Sequence, residues 1–185
     1  MNDLTGKLLI AMPGMGDPRF DHSVIFLCEH SAKGAMGLIV NKPTPELPAR
    51  ELLGQLGIDA QNMPKDLCIY FGGPVEHGRG FVLHSEDYRN NSSTLHVTDQ
   101  IGLTATLDIL QDIADGRGPE KVVLALGYAG WGPGQLEREF QDNGWLTCDG
   151  DADVVFHPDN DAKWTAALKS LGVDALTLSA EGGHA

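Results

Sequence analysis

Cysteine and positive charge are both scarce in this chain, and each scarcity excludes a class of protein. The three cysteines, Cys28, Cys68 and Cys148, are odd in number and far apart, with no C-x-x-C pair. That spacing excludes a disulfide framework, a zinc ribbon and a thioredoxin-like motif, and predicts reduced thiols in a cytoplasmic setting. Lys and Arg together number 13 against 26 Asp and Glu, leaving a formal charge of -13. Such a field repels polyanions and argues against direct nucleic-acid binding, unless the arginines gather on one face. No apolar run approaches the roughly 20 residues of a membrane-spanning helix. The opening MNDLTGKLLIAMPGMGDP has no charged n-region, and its short apolar run stops at Pro13, so it does not read as a signal peptide.

What the chain does have is core-forming sequence. With 185 residues and 42% hydrophobic content, it is long enough for a sizeable core, and residues 1–185 are expected to form one domain. KLLIAM reads as a strand ended by the turn-rich PGMGDP. SVIFLCEH and AMGLIVN, separated by SAKG, read as a hairpin, and AMGLIVN is apolar on both alternating faces, as a central strand should be. Three prolines then give an extended connection to a brief helix carrying Leu52, Leu53 and Leu56 and stopped by Gly57. LCIYFGG, GFVLHS and TLHVT are strand candidates, with EDYRNNSS as a solvated loop before the last. GLTATLDILQDIADG places Leu103, Leu107, Leu110 and Ala114 on one helical stripe. KVVLALGYAG is the most buried-looking strand, followed by a helix over 135–143. WLTC and ADVVF close the strand set, and a helix near 160–171 turns Trp164, Leu168 and Leu171 inward. Regular strand-helix alternation appears only after residue 100, so the fold class is α+β.

GYAGWGPGQLEREF, from Gly127 to Phe140, places a strand end, a glycine-rich loop and a helix N-terminus in succession, which are the parts of an anion cradle. It lacks the Lys and Ser/Thr of a Walker loop and the G-x-G-x-x-G spacing, and Glu137 and Glu139 would repel a phosphate. Two readings remain. Either the glycines permit a tight turn, the aromatics cap the sheet edge and the acids form a solvated face, or the loop shapes a pocket or contact surface. Leu136 and Phe140 should face the core, leaving the two acids on different sides of the helix.

Cys28 and His30 lie two apart in a strand, which puts them on one face in a geometry poor for a thiol-imidazole pair. Cys28 reads as a small buried hydrophobe, and His30 as a strand-end residue bonding a loop carbonyl. The seven histidines include no H-E-x-x-H and no i, i+4 pair, so no metal is assigned. His84, between FVL and an acidic turn, is the best partner for His30 in one site. DGDAD imitates a calcium loop, but residue 154 is Val where the turn glycine should stand and residue 160 is Asn where the bidentate Glu should stand. FGGPVEHGRGF reads as a connecting loop, with an anion nest around Arg79 as the alternative.

LLIAMPGMGDPRFDHSVIFLCEHSAKGAMGLIVNKP, GGPV with GFVLH, and LGYAGWGPGQLEREFQDNGWL together resemble the YqgE/AlgH family of bacterial proteins, from Leu8 nearly to the final GHA. The resemblance implies one α+β domain whose mixed, largely antiparallel, barrel-like sheet is flanked by helices. Gly16 departs from the pattern, where a larger residue is expected. The family has no agreed catalytic residues to transfer, and some members carry the label of transcriptional regulator. What the resemblance marks are shared positions. With the motifs above, these nominate His30, Asn41, Gly72, Gly73, His84, Tyr128, Trp131, Gln135 and Glu137 as a candidate binding set converging on one side of the sheet. Two functions fit: a non-enzymatic cytoplasmic module binding a protein or small effector, with no cofactor, or a hydrolase-like enzyme with His30 or His84 as general base and Glu137 as its partner.

Overall fold

The computed structural model describes residues 3–12, 22–61, 63, 67–88, 93–142 and 144–171. The expectations for PGMGDP with Gly16, the middle of EDYRNNSS, Asn143 and the last residues of the chain lie outside them. Among the described residues, nine strands form one curled sheet: β1 Lys7–Ala11, β2 Val24–Ser31, β3 Gly34–Ile39, β4 Ile69–Phe71, β5 Val75–Ser85, β6 Leu95–His96, β7 Ile101–Thr104, β8 Val122–Trp131 and β9 Trp145–Asp149. Their order is β6-β7-β5-β8-β3-β2-β1-β9, antiparallel throughout, with β4 added parallel to β8 off this path. The helices that flank it among the described residues are α1 Ala49–Gln55, α2 Leu107–Ala114, α3 Gln135–Gln141, α4 Ala152–Val155 and α5 Asn160–Ser170. The α+β class and the barrel-like, largely antiparallel sheet are as expected.

β8 organises this curl. Its first half pairs with β5 and β4, and its last three residues pair with β3. The change of partner falls at Gly127, whose φ of +77° lies in the left-handed region that a side chain resists. A Cβ there would sit 2.4 Å from the carbonyl oxygen of Gly73, so the GGP loop and the GYAG turn fit only by backbone-to-backbone contact. Gly72 and Gly73 are thereby packing glycines. The Gly72 N–H donates to Leu126 O, and its carbonyl accepts from Ile39 N, tying β3 to β8.

The curled sheet separates three apolar clusters. One, containing Phe26, Leu38, Phe81 and Leu168, lies between the sheet and α5. A second sits beneath α1 and α2, and a third, with Ile25, Ala129, Trp131, Leu136 and Trp145, lies beneath α3.

Several elements differ from the sequence pattern for identifiable reasons. ADVVF is the one-turn helix α4, because the Asp151 side chain caps it by accepting from Asp153 N. Residues 101–104 extend the sheet as β7, so α2 starts at Leu107, which is 57% exposed, and its inward face is Ile109, Leu110 and Ile113. The four-three spacing of Leu103 and Leu107 thus crosses an element boundary. Leu171 is 41% exposed just past α5, whereas Trp164 and Leu168 are buried as expected. The loop expected over FGGPVEHGRGF shortens to Gly72–Pro74, because β5 begins at Val75, leaves the ladder between Val75 and Gly80, and then rejoins β8.

Candidate functional site

A β-bulge in β2 sets the geometry of the site. Leu27 pairs with Gly37 and Glu29 with Met36, so Cys28 is the extra residue. The bulge resets the alternation. Cys28 lies in the cluster against α5 and Glu29 faces that same side, while His30 turns to the opposite side, beneath α3. The sequence expectation that Cys28 and His30 share a face is therefore incorrect, because strict two-residue alternation does not survive a bulge.

His30 is not bonded to a loop carbonyl. Its Nδ1 receives the backbone N–H of Leu4 at 3.0 Å, and its Nε2 stands 2.7 Å from Glu137 Oε1. An amide nitrogen can only donate, so Nδ1 carries the lone pair and Nε2–H donates to the carboxylate. The contact is a neutral imidazole on a carboxylate, and this hydrogen bond holds Glu137 below the ordinary carboxylate range.

Glu139 lies on the other flank of α3, as the spacing from Glu137 predicted, but it does not belong to a solvated face. Its Oε1 accepts from the indoles of both Trp131 at 3.1 Å and Trp145 at 2.8 Å, and its Oε2 accepts from Gln135 Nε2. Gln135 Oε1 in turn accepts from Gly132 N, and the two indoles meet edge to face. One carboxylate thus ties the GYAGW loop, α3 and β9 together. The sequence signal that could have exposed it was an acid placed between two tryptophans on adjoining elements.

The expected convergence divides into groups. His30, Trp131, Gln135 and Glu137 gather around α3. His84 is elsewhere: it pairs with Val122, whereas His30 pairs with Ala35, whose other neighbour is Trp131. Nine residues of β8 separate those two positions, on the order of 30 Å of strand. His84 is fully buried, and burial lowers its pKa. Its Nδ1–H donates to Ser85 O at 2.9 Å, and its Nε2 accepts from Thr104 Oγ1 at 2.8 Å. Asn41 clamps the entry to β2, accepting from Val24 N and donating to His22 O.

Tyr128 faces away from α3 and lines an open cleft of about 690 Å³. Its floor is Met36, Phe81 and Leu103, and Glu29, Lys33 and Arg79 bring charge to it. The Arg79 guanidinium lies 5.1 Å from the centre of the Phe81 ring, and Tyr128 meets that ring edge-on. Among the described residues, the side chains of Glu29, Lys33 and Tyr128 have no hydrogen-bond or ion-pair partner. Neither Glu29 nor Lys33 was in the sequence-derived set, because the bulge that turns Glu29 into the cleft leaves no mark in the residue pattern. No group of three or more His, Cys, Asp or Glu suited to a metal occurs among the described residues.

Fold and site define a class, an α+β half-barrel with a tied helix on one face and an open charged cleft on the other. The chain belongs to the AlgH-like family, which it matches over residues 8–176. It is 61% identical over 184 residues to a UPF0301 protein of Ruegeria pomeroyi, covering 99% of this chain and 100% of that one. A UPF0301 protein of Paracoccus denitrificans is 54% identical over 186 residues, covering 100% and 98%. The solution structure of the AlgH protein from Pseudomonas aeruginosa superposes with a TM-score of 0.78 at 42% identity, covering 100% of this chain and 97% of that one. A protein from Corynebacterium diphtheriae, at TM-score 0.74 and 19% identity over 91% and 87% of the two chains, shares the fold.

Proposed function

We propose that this protein is a cytoplasmic, non-enzymatic binding module with a regulatory role, and that the cleft beside Tyr128 is where it binds. The observation that carries this reading is the contrast between the histidines and the cleft. Both ring nitrogens of His30 and of His84 are engaged within the protein, so neither presents the free lone pair a general base needs. Glu29, Lys33 and Tyr128, by contrast, line a concave, partly apolar surface with no hydrogen-bond or ion-pair partner for their side chains among the described residues. Convergent polar groups around an apolar floor are the usual form of a binding site. No helix among the described residues is long and apolar enough to cross a membrane, which is compatible with the cytoplasmic setting.

The test is a thermal-shift screen against metabolites, nucleotides and peptides, run on the wild type and on Tyr128→Ser. A ligand at about 100 times its dissociation constant adds roughly 2.7 kcal/mol to stability, a readily visible shift. The reading expects hits that weaken in Tyr128→Ser. Turnover of any ester or amide substrate that disappears in His30→Gln would replace it with the hydrolase reading.

A further inference from the structure

The cleft has a polarity of its own. Glu29 on β2 pairs with Met36 on β3, Met36 pairs with Gly130 on β8, and Tyr128, two residues along β8, pairs with Val75 on β5. Arg79, also on β5, extends over the Phe81 ring. Glu29 and Arg79 therefore stand three strand spacings apart, roughly 14 Å at about 4.8 Å per spacing, and Lys33, in the turn between β2 and β3, adds a positive charge at the Glu29 end. Glu29 and Arg79 do not neutralise each other across that gap. The Arg79 guanidinium makes one long contact, 3.4 Å, with Glu76 on its own strand, and both of those side chains are more than half exposed. A pair of that kind contributes little and is easily exchanged for a ligand. Between the two walls lie Met36, Phe81 and the Tyr128 ring, with the phenol oxygen unpartnered.

We propose that the cleft binds a short zwitterionic peptide lying across the strands, with its amino terminus at Glu29, its carboxylate at Arg79 and apolar side chains on Met36 and Phe81. An extended chain advances about 3.3–3.6 Å per residue, so about four residues fill the gap. The guanidinium fork suits a terminal carboxylate, and its position over Phe81 leaves it pre-organised rather than freely mobile. A single amino acid is too short to reach both walls. The inference rests on the cleft being the binding site and adds the class of its occupant.

The experiment is a ¹⁵N–¹H NMR titration of the whole chain with a millimolar pool of free tetrapeptides with apolar central residues. The same pool is repeated N-acetylated and C-amidated, with p-cresol as a neutral aromatic probe. The free pool should shift the amides of Met36, Arg79, Tyr128 and Gly130, and each cap should weaken binding at least tenfold. Glu29→Gln should become indifferent to acetylation and Arg79→Gln to amidation, a pairwise coupling that general charge cannot mimic. Lys33→Gln is the control, expected to change free and capped peptides alike. Caps that alter binding less than twofold, or variants that respond to both caps as the wild type does, overturn the peptide assignment. If p-cresol shifts the cleft amides and free peptides do not, the assignment falls and the cleft stands. If no probe shifts those amides, both fall.

Discussion

Lys163 illustrates how much one residue can contribute against the grain of a core. It sits on α5 with no exposure, its ammonium donating to Val40 O and lying 5.0 Å from the centre of the Tyr70 ring. The Tyr70 hydroxyl is occupied by Asn160 at 3.0 Å, so the amine meets a ring face and a carbonyl rather than a carboxylate. Burial pulls its pKa from 10.5 to about 8. Below pH 8 both the folded and the unfolded chains hold the proton, and the folded state carries the whole cost of burying it. Between pH 8 and 10.5 the unfolded chain binds more protons, so raising pH stabilises the fold, by roughly 3 kcal/mol across that window. In urea denaturation at pH 7.5 and pH 10, the stability of the wild type relative to Lys163→Met should rise between the two values, while the thiols of Cys28, Cys68 and Cys148, whose pKa values burial raises, lower both chains alike. A difference between the two chains that stays level or falls across this range contradicts the assignment of Lys163 as a buried amine without a carboxylate partner.

At the scale of an element, α3 is short and has weak local reasons to exist. Its seven residues follow Gly134, whose φ is +74° and which supplies no side-chain cap. Few isolated helices of that length persist in water, so its stability comes from contacts to the sheet. Glu137 attaches one flank to His30, Glu139 attaches the other to two indoles and Gln135, and Leu136 fills the space between them. Glu139→Ala removes the acceptor that the two largely buried indole N–H groups share, which should cost about 2–4 kcal/mol. Tryptophan emission should shift to the red as α3 loosens. Glu139→Gln keeps an acceptor oxygen and should recover at least half of the loss. Equal destabilisation by both substitutions would mean that the charge, not the hydrogen-bond geometry, holds the helix.

Across the whole molecule, the charge of -13 sets long-range behaviour. Thirteen Lys and Arg against 26 Asp and Glu leave few positive groups with which to release counterions from a phosphate backbone. Arg79 and Lys33 enter a cleft that Glu29 also lines, and Arg117 is occupied by Asp115 and Asp112. In a gel shift with duplex DNA at low-micromolar protein and 50 mM salt, no retarded band is expected. A salt-sensitive complex under those conditions would return direct DNA binding to consideration. The proposed regulatory role then runs through the proposed peptide or a protein partner.

The residues by themselves determined the class of fold and most of its strands. Apolar runs such as VIFLC and VVLAL have few other ways to satisfy their backbone and bury their side chains, and the family blocks fixed the barrel-like arrangement. The sequence also nominated the residues that gather under α3, because glycines, tryptophans and acids concentrated in one short stretch have to meet something. Tertiary structure decided which of them meet. A one-residue bulge at Cys28 sends His30 to α3 and Glu29 to the cleft, and nothing local in VIFLCEHS distinguishes a bulged strand from a regular one. The separation of His84 from His30 depended on which halves of β8 each neighbouring strand pairs with, a consequence of the turn at Gly127. Periodicity names the face a side chain takes within one element. Its partners depend on register between elements, which is fixed only when the sheet closes.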